Sequence, residues 1–236
     1  MATFVLVHGA WGGGWQWRGV ASLLRASGHE VTTPTLTGQG ERAHVSCEAI
    51  SLLTHIDDLT EHLWFEDLTE VVLVGWSYGG RLADGVADRM PGRLRMVVNL
   101  DGMVREGQPS GLDGWSTEQQ YQFQSSGWIP APTFDDLGDV LADPALREYV
   151  AARERKIPTA AFTTPFPDVG SQRWQVPHVY VAFTEAAIGE PFTEEDMAER
   201  AAIKADPRWD YREVPVNHLG ILYAPEVVAS ALLEVL

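Results

Sequence analysis

Ser77 has the clearest chemical potential in this chain, because it stands at the centre of a Gly-Trp-Ser-Tyr-Gly pattern at positions 75–79. An apolar and β-branched run, Val71–Val74, precedes the pattern, and a helix-compatible stretch follows it. That order predicts a sharp strand-to-helix turn in which the serine is strained and its hydroxyl is exposed above the sheet edge. Glycines on both sides avoid Cβ atoms that would clash. The predicted chemistry is nucleophilic attack by the serine hydroxyl.

A serine needs a base to remove its proton, and His218 is the best-placed histidine. It follows the predicted strand Asp210–Val214 by four residues and shortly precedes the last predicted helix. In enzymes with this serine turn, the base comes last in the chain, in a loop after the final strand. His8, in a turn after the first strand, is interpreted instead as a hydrogen-bonding residue of that turn.

Two main-chain N–H groups are candidates for stabilising the oxyanion that the attack creates. In enzymes with this turn, one such donor follows the nucleophile and the other lies in the loop after the first strand. These positions are Tyr78 and Ala10. Each donor of this kind contributes about 3–4 kcal/mol of transition-state stabilisation.

The carboxylate that orients the histidine has more than one candidate. The usual place is the loop after the penultimate strand, where Glu185 and Glu190 are the nearby carboxylates. Asp101 ends the strand that follows the serine turn and its helix, 101 − 77 = 24 residues beyond the serine. From the strand tip it can approach the histidine at the same edge of the sheet. We therefore favour Asp101 as the acid, with Glu185 as the alternative.

Strand-like and helix-like segments alternate along the chain, which predicts an α/β fold with a mostly parallel sheet covered on both faces. The predicted strands are Thr3–Val7, Glu30–Thr33, Val71–Val74, Arg95–Leu100, His178–Phe183 and Asp210–Val214. The predicted helices are Trp17–Ser27, Ala49–Trp64, Tyr78–Met90, Thr193–Ala205 and Pro225–Leu236.

Residues 103–174 break this alternation. They contain seven prolines, nine aromatic residues and two short helix candidates, Thr117–Gln124 and Pro144–Lys156. A structureless loop of this length is improbable in a compact domain. We predict a cap, 103–174, over a core formed by 1–102 and 175–236. Ligands bind at the carboxyl edge of such sheets, and the predicted substrate-binding side chains are Trp11, Trp76, Trp128 and Tyr223.

The overall charge restricts the partners. Seventeen basic and 33 acidic residues give a net charge of −16, which disfavours nucleic acid and anionic membrane surfaces. A neutral or weakly charged small molecule is the expected substrate, and a homodimer is left open. A single cysteine, Cys47, excludes an internal disulfide and a cysteine-based zinc site. No signal-peptide pattern or membrane-length apolar run is present, so the expected location is cytoplasmic.

The motifs together resemble the α/β-hydrolase superfamily over essentially the whole chain. The glycine-rich stretch 5–17, the segment 35–42 and the serine turn 75–80 resemble the branch of methylesterases, hydroxynitrile lyases and their bacterial esterase relatives. The resemblance implies an α/β-hydrolase fold with a six-stranded core, a helical cap after Asp101, and ester hydrolysis with no cofactor and no metal. Plant members carry an aspartate where Ala186 stands, and lyases carry a lysine where Leu219 stands.

The predicted activity is therefore hydrolysis of a carboxylic ester of a small apolar or aromatic substrate. Ser77, His218 and Asp101 would act through an acyl-enzyme. The same residues could instead run a lyase or elimination reaction, or an intramolecular acyl transfer on a natural product. A third interpretation is a ligand-binding protein with a vestigial hydrolase site.

Overall fold

The computed structural model describes residues 1–102, 104, 112, 115–138, 140–165, 171–186 and 192–236. Most of the strands in these residues form one central sheet. The strands of the described residues are β1 (Thr3–Val7), β2 (Glu30–Thr32), β3 (Val71–Trp76), β4 (Leu94–Leu100), β5 (Trp128–Ile129), β6 (Ile157–Pro158), β7 (His178–Phe183) and β8 (Trp209–Val214).

The central sheet has six strands in the order β2-β1-β3-β4-β7-β8. Every neighbouring pair in it is parallel. Since parallel strands end at the same edge, the loops after β1, β3, β4, β7 and β8 open toward one side. The predicted α/β-hydrolase fold with a parallel six-stranded sheet is confirmed.

Helices connect the strands and cover the sheet. In the described residues they are α1 (Arg18–Ala26), α2 (Leu52–Phe65), α3 (Tyr78–Arg89), α4 (Thr117–Ser126), α5 (Pro144–Ala151), α6 (Ala160–Thr163), α7 (Glu194–Ala205), α8 (Gly220–Tyr223) and α9 (Pro225–Glu234).

The hydrophobic core lies in two layers, one on each face of the sheet. Side chains alternate along a strand, so Phe4 and Leu6 of β1 join the layer that contains residues of α1 and α9. Val5 and Val7 join the other layer, with residues of α2 and α3. All four side chains are fully buried. This burial on both faces explains why the strands are almost continuously apolar.

Several element boundaries differ from the sequence prediction by one to three residues, and two of these differences have a clear local reason. Strand β3 continues two residues beyond Val74, because Gly75 and Trp76 are in register with β4. Helix α2 begins at Leu52 rather than Ala49, because Ser51 caps it: its N–H donates to the Thr54 hydroxyl at 3.2 Å.

The region predicted as a cap holds α4, α5 and α6, and also a two-stranded antiparallel sheet of β5 and β6 that the sequence did not indicate. The predicted helix Pro144–Lys156 ends at Ala151. The chain then crosses the loop after β1, where Arg155 N–H donates to the Trp11 carbonyl at 2.9 Å. Met103, Pro109, Phe166 and Pro167 lie outside the described residues, and the boundaries 103–174 stay a prediction.

Candidate active site

Ser77 stands in the turn between β3 and α3 with φ 55° and ψ −122°. This left-handed backbone is uncommon for a residue with a side chain. The turn is closed by the Ser77 N–H, which donates to the Leu100 carbonyl at 3.2 Å. A Cβ atom on Gly79 would lie 2.7 Å from the Val7 carbonyl oxygen, and one on Gly75 would overlap the Gly79 carbonyl. Gly75 therefore allows the turn to close on itself, and Gly79 allows it to pack against β1.

His218 links the serine to a carboxylate. Its Nε2 lies 3.0 Å from Ser77 Oγ, and its Nδ1 lies 2.8 Å from Asp101 Oδ2. A carboxylate oxygen only accepts hydrogen bonds, so Nδ1 carries the proton and a neutral ring presents its Nε2 lone pair to the serine hydroxyl. The His218 side chain is 45% exposed and Asp101 is 6% exposed. The arrangement can take a proton from Ser77 at the surface of the site while its carboxylate stays shielded from water.

Asp101 is held at the tip of β4 from several directions. It has φ 46°, and its N–H donates to the Val181 carbonyl at 2.8 Å. Its Oδ1 accepts from the Phe183 N–H at 3.1 Å and from the Arg200 guanidinium at 2.9 Å. Aspartate tolerates this left-handed backbone better than most residues. The side chain therefore has one oxygen for the histidine and one for the protein scaffold.

The alternative acids do not make this contact. Glu185 is exposed, and the contact of its N–H is with the Val216 carbonyl at 3.0 Å. Glu190 lies outside the described residues. In the described part of the chain, the carboxylate that meets His218 is Asp101.

The two predicted oxyanion donors belong to segments that lie next to Ser77. Tyr78 is the first residue of α3, so its N–H has no acceptor within the helix. Ala10 follows Gly9, where an added Cβ would lie 3.3 Å from the Ser77 Cβ. The loop after β1 thus passes close to the nucleophile, and Ala10 is the next residue of that loop.

His8 fixes the shape of this loop. Its Nδ1 donates to the Gly9 carbonyl at 2.7 Å, and its Nε2 accepts from the Leu36 N–H at 3.1 Å. The acceptor role of Nε2 requires the neutral ring, and burial lowers the pKa of His8 to about 4. The residue is fully buried. Its observed contacts are therefore those of a turn-forming residue.

The side chain of Tyr78 points away from the serine into the core. Its hydroxyl donates to Nδ1 of the buried His55 at 2.9 Å, and His55 Nε2 donates to the Thr37 carbonyl at 3.0 Å. Burial lowers the pKa of His55 and raises that of Tyr78. Both groups are thus neutral, and they connect the start of α3 to the loop after β2.

The four side chains predicted to bind substrate have different surroundings. Trp11 stacks on Phe162 with ring centroids 6.3 Å apart. The Trp128 ring carries the Lys156 ammonium 3.7 Å from its centroid. The Tyr223 hydroxyl accepts from the Asn217 N–H at 2.8 Å, next to His218.

Trp76 is the most buried of the four, with 3% exposed. Its Nε1 donates to the His218 carbonyl at 2.9 Å, and its ring centroid lies 5.3 Å from that of the imidazole. In this structure its contact is with the histidine loop.

The contacts of three residues were missed in the sequence. Arg200 contacts Asp101, but a charged residue on the amphipathic α7 gives no sign of that. Phe162 stacks on Tyr78 with centroids 5.2 Å apart, and it was only one of many aromatic residues in the predicted cap. His55 lies within the predicted helix Ala49–Trp64, and the helix pattern carries no signal for its bond to Tyr78.

The chain matches the model of the alpha/beta hydrolase family over residues 4–231, and it belongs to that family. Its relatives include the carbendazim-hydrolyzing esterase of Nocardioides sp. (strain SG-4G), 54% identical over 45% of this chain and 44% of the relative. Two further relatives come from Arabidopsis thaliana. An alpha-hydroxynitrile lyase is 33% identical over 43% of this chain and 40% of the relative, and methylesterase 3 is 30% identical over 55% of this chain and 56% of the relative.

These alignments span about half the length of the relatives or less. Among solved structures, an extracellular α/β-hydrolase from a Paenibacillus species superposes with a TM-score of 0.82. It is 21% identical and covers 99% of this chain and 98% of its own. The resemblance to the methylesterase and hydroxynitrile lyase branch and its bacterial esterase relatives is thereby confirmed. Within the described residues, no helix combines the length and apolar character needed to span a bilayer.

Proposed function

We propose that this protein is a serine hydrolase that cleaves a carboxylic ester of a small apolar or aromatic substrate. The observation that carries the proposal is the continuous hydrogen-bond chain from Asp101 through His218 to Ser77, with lengths of 2.8 and 3.0 Å. A nucleophile within hydrogen-bond reach of a base, which a third group orients, is the arrangement that acyl transfer requires. The esterases among its relatives support the same activity.

In the first half-reaction, Ser77 Oγ attacks the acyl carbon while its proton moves to His218 Nε2. The N–H groups of Ala10 and Tyr78 stabilise the oxyanion of the tetrahedral intermediate. The bond between the acyl carbon and the alcohol oxygen then breaks, and Nε2 returns the proton to the departing alcohol. Asp101 stabilises the imidazolium that exists between these two steps.

In the second half-reaction, water attacks the acyl group on Ser77. His218 Nε2 takes the proton of that water, and the same two N–H groups stabilise the second intermediate. Collapse of the intermediate breaks the acyl–Oγ bond, the proton returns to Oγ, and the free acid leaves. The reaction consumes one ester and one water and releases one alcohol and one acid, and none of its steps needs a redox group.

The aromatic residues beside the oxyanion loop support an apolar or aromatic substrate. Trp11 directly follows Ala10, and the Phe162 ring stacks on both Trp11 and Tyr78. Trp115 adds an edge-to-face contact with Phe162, with centroids 5.6 Å apart. Carbendazim, named for the bacterial relative, is for these reasons a suitable test substrate beside simple aromatic esters.

The test is stopped-flow hydrolysis of p-nitrophenyl acetate and p-nitrophenyl benzoate, with intact-protein mass spectrometry. We expect a burst of p-nitrophenol equal to the concentration of protein, an acyl adduct on Ser77, and a lower KM for the benzoate. Ser77→Ala abolishes both signals, whereas Ser27→Ala, at an exposed serine, keeps them.

The competing activities give different results. A lyase or cyclase turns over its substrate without an acyl adduct on Ser77. A ligand-binding protein with a vestigial site binds aromatic acids but forms no adduct with a fluorophosphonate and turns over no ester. Either result would remove the hydrolase proposal.

A further inference from the structure

We propose that Arg200 is a positioning residue that fixes the Asp101 carboxylate for its contact with His218. The kinetic part of this inference rests on the proposed hydrolase activity. The contact itself does not, because it joins the side chain of α7 to the tip of β4. Arg200 acts through Asp101 and is not placed in contact with the substrate.

The Arg200 guanidinium bridges the ends of two neighbouring strands. One terminal nitrogen donates to Asp101 Oδ1 at 2.9 Å, and the other donates to the Phe183 carbonyl at 2.6 Å. The Phe183 N–H also donates to Asp101 Oδ1, at 3.1 Å. The end of β7 and the guanidinium thus form one receptor for a single carboxylate oxygen.

Holding Oδ1 decides where Oδ2 points. A carboxylate group turns about its bond to Cβ, and its terminal torsion has a broad energy minimum. With Oδ1 bound by two donors, rotation would break both contacts. Oδ2 therefore stays 2.8 Å from Nδ1 of His218, and the imidazole keeps the tautomer that leaves Nε2 free for Ser77.

The Arg200 side chain is itself fixed. Its guanidinium lies 4.0 Å from the centroid of the Phe192 ring, and the side chain is only 16% exposed. The planar fork of arginine donates in two directions at once, while a lysine ammonium presents a point charge. A lysine at position 200 is expected to preserve the charge and part of the positioning.

The charge of Arg200 has its own effect on Asp101. Two tyrosines pack on the same side, and burial raises the pKa of both Tyr180 and Tyr211, so each is neutral. In the described residues, Arg200 is the cation bound to Asp101 on the side opposite His218. Its positive charge partly offsets the negative charge of the Asp101 carboxylate.

The first test compares Arg200→Ala with Lys204→Ala. Lys204 lies one turn along α7, is 61% exposed and pairs with Glu213 at 2.9 Å, so it controls for loss of a positive charge from the same helix. We expect Arg200→Ala to lower kcat by about 10- to 100-fold, because a shift of the reacting groups by about 1 Å is enough for such a loss. KM stays within about twofold, Lys204→Ala behaves as wild type, and Arg200→Lys recovers part of the loss.

The kcat of each active molecule separates positioning from a general structural role. A merely destabilised protein has fewer active molecules, which titration of Ser77 with a fluorophosphonate counts, but each of those molecules keeps the wild-type kcat. We expect the kcat per titrated site to stay lowered in Arg200→Ala and to recover in part in Arg200→Lys.

Added guanidinium provides a rescue experiment. Arg200 lines a surface cavity of about 300 Å³, together with Phe192, Met197 and Tyr211, so a small planar cation can enter the space that Arg200→Ala leaves. Guanidinium, far below unfolding concentrations, is expected to restore part of kcat in Arg200→Ala, whereas sodium and tetramethylammonium are not. Unchanged kcat per active site in Arg200→Ala, or a loss that guanidinium does not rescue, would overturn the inference.

A spectroscopic measurement keeps this inference separate from the proposed activity. The proton on His218 Nδ1, hydrogen-bonded to a carboxylate, gives a far-downfield NMR resonance that His218→Gln removes. We expect this resonance to broaden or shift upfield in Arg200→Ala and to stay unchanged in Lys204→Ala. An unchanged resonance contradicts the positioning role. If wild type hydrolyses no ester, the proposed function fails while this result still decides the role of Arg200.

Discussion

Ser77 and Asp101 are neighbours across the sheet, because the residues before them, Trp76 and Leu100, are register partners on β3 and β4. Both residues have left-handed backbones, with φ of 55° and 46°. The ladder continues through both turns: the Ser77 N–H donates to the Leu100 carbonyl, and the Asp101 N–H donates to the Val181 carbonyl. Their separation is therefore set by the spacing of parallel strands and not by a loop.

Asp101→Asn tests this carboxylate as the acid. The amide cannot hold His218 in the tautomer that leaves Nε2 unprotonated, so kcat is expected to fall by roughly 10⁴-fold. Glu185→Gln, at an exposed side chain, is the control and leaves kcat within about twofold. Steady-state hydrolysis of p-nitrophenyl acetate measures both, and near-wild-type activity of Asp101→Asn would sink the assignment.

Gly79→Ala tests the packing of the serine turn. The new Cβ would lie 2.7 Å from the Val7 carbonyl and 2.9 Å from the His8 carbonyl, and backbone atoms cannot move aside as a side chain can. We expect a loss of about 1–3 kcal/mol in the free energy of unfolding, measured by urea denaturation. Gly92→Ala is the control, because its Cβ would meet nothing within 4 Å. Equal stability of the two variants would contradict this account.

Trp76→Phe removes the bond to the His218 carbonyl while it keeps most of the ring. The carbonyl loses its donor, so we expect about 1 kcal/mol lower stability and a lower kcat from a less fixed imidazole. Trp64→Phe is the matched control, since Trp64 is 58% exposed. If the two variants had the same kcat, the contact would have no part in holding the histidine.

Acid is expected to destabilise the protein through His8. Burial lowers its pKa from 6.5 to about 4, so between these values the unfolded chain binds a proton that the folded chain excludes. Stability from this group is complete above pH 6.5 and falls as the pH drops toward 4, by up to about 1.4 kcal/mol per unit. Urea denaturation from pH 7 to 4.5 measures the slope.

Variants of two histidines test whether His8 causes this pH dependence of stability. His8→Asn is expected to be less stable at pH 7 and to show a shallower dependence on pH. His44→Asn, at an exposed histidine, keeps the wild-type dependence. Parallel curves for wild type and His8→Asn would place the effect elsewhere, and the buried His55, whose pKa is also lowered by burial, would be the next group to test.

The buried carboxyl of Glu154 is expected to give the opposite pH dependence of stability, in a higher pH range. Burial raises the pKa of its carboxyl from 4.5 to about 8, and its Oε2 has no hydrogen-bond partner in the residues that the structure describes. The folded chain keeps a proton that the unfolded chain releases, so stability falls as the pH rises from 4.5 to 8. Glu154→Gln removes this fall, whereas Glu148→Gln, exposed on α5, does not. Thermal unfolding between pH 5 and 9 distinguishes them.

The sequence was sufficient for the parts of the site that follow chain order. The nucleophile stands between a strand and a helix, and the histidine follows the last strand, so Ser77 and His218 could be named from pattern and position. Asp101 could be favoured because strand tips of a parallel sheet meet at one edge. The structure brings these three side chains together, and their catalytic roles stay predictions.

The remaining contacts arise from tertiary packing that no local pattern records. Arg200 and Asp101, which form a hydrogen bond, are 99 positions apart in the sequence. Trp76 and His218, whose carbonyl accepts from the Trp76 ring, are 142 positions apart. The two-residue strands β5 and β6 are too short to show a period of two, and Pro158 in β6 argues against a strand. The bond between Tyr78 and His55 likewise depends on how α2 packs against α3.

The three groups proposed for catalysis differ in how firmly they are tied to the rest of the molecule. Ser77 and Asp101 follow central strands, whereas His218 lies in a loop that three hydrogen bonds hold in place. Trp76 Nε1 donates to the His218 carbonyl, the Asn217 N–H donates to the Tyr223 hydroxyl, and Asn217 Nδ2 donates to the Val140 carbonyl. Local opening of such a loop costs far less free energy than unfolding of the cooperative unit formed by the sheet. Gentle heating or low urea is thus expected to abolish the proposed hydrolase activity reversibly, while the circular dichroism spectrum is still that of the native state.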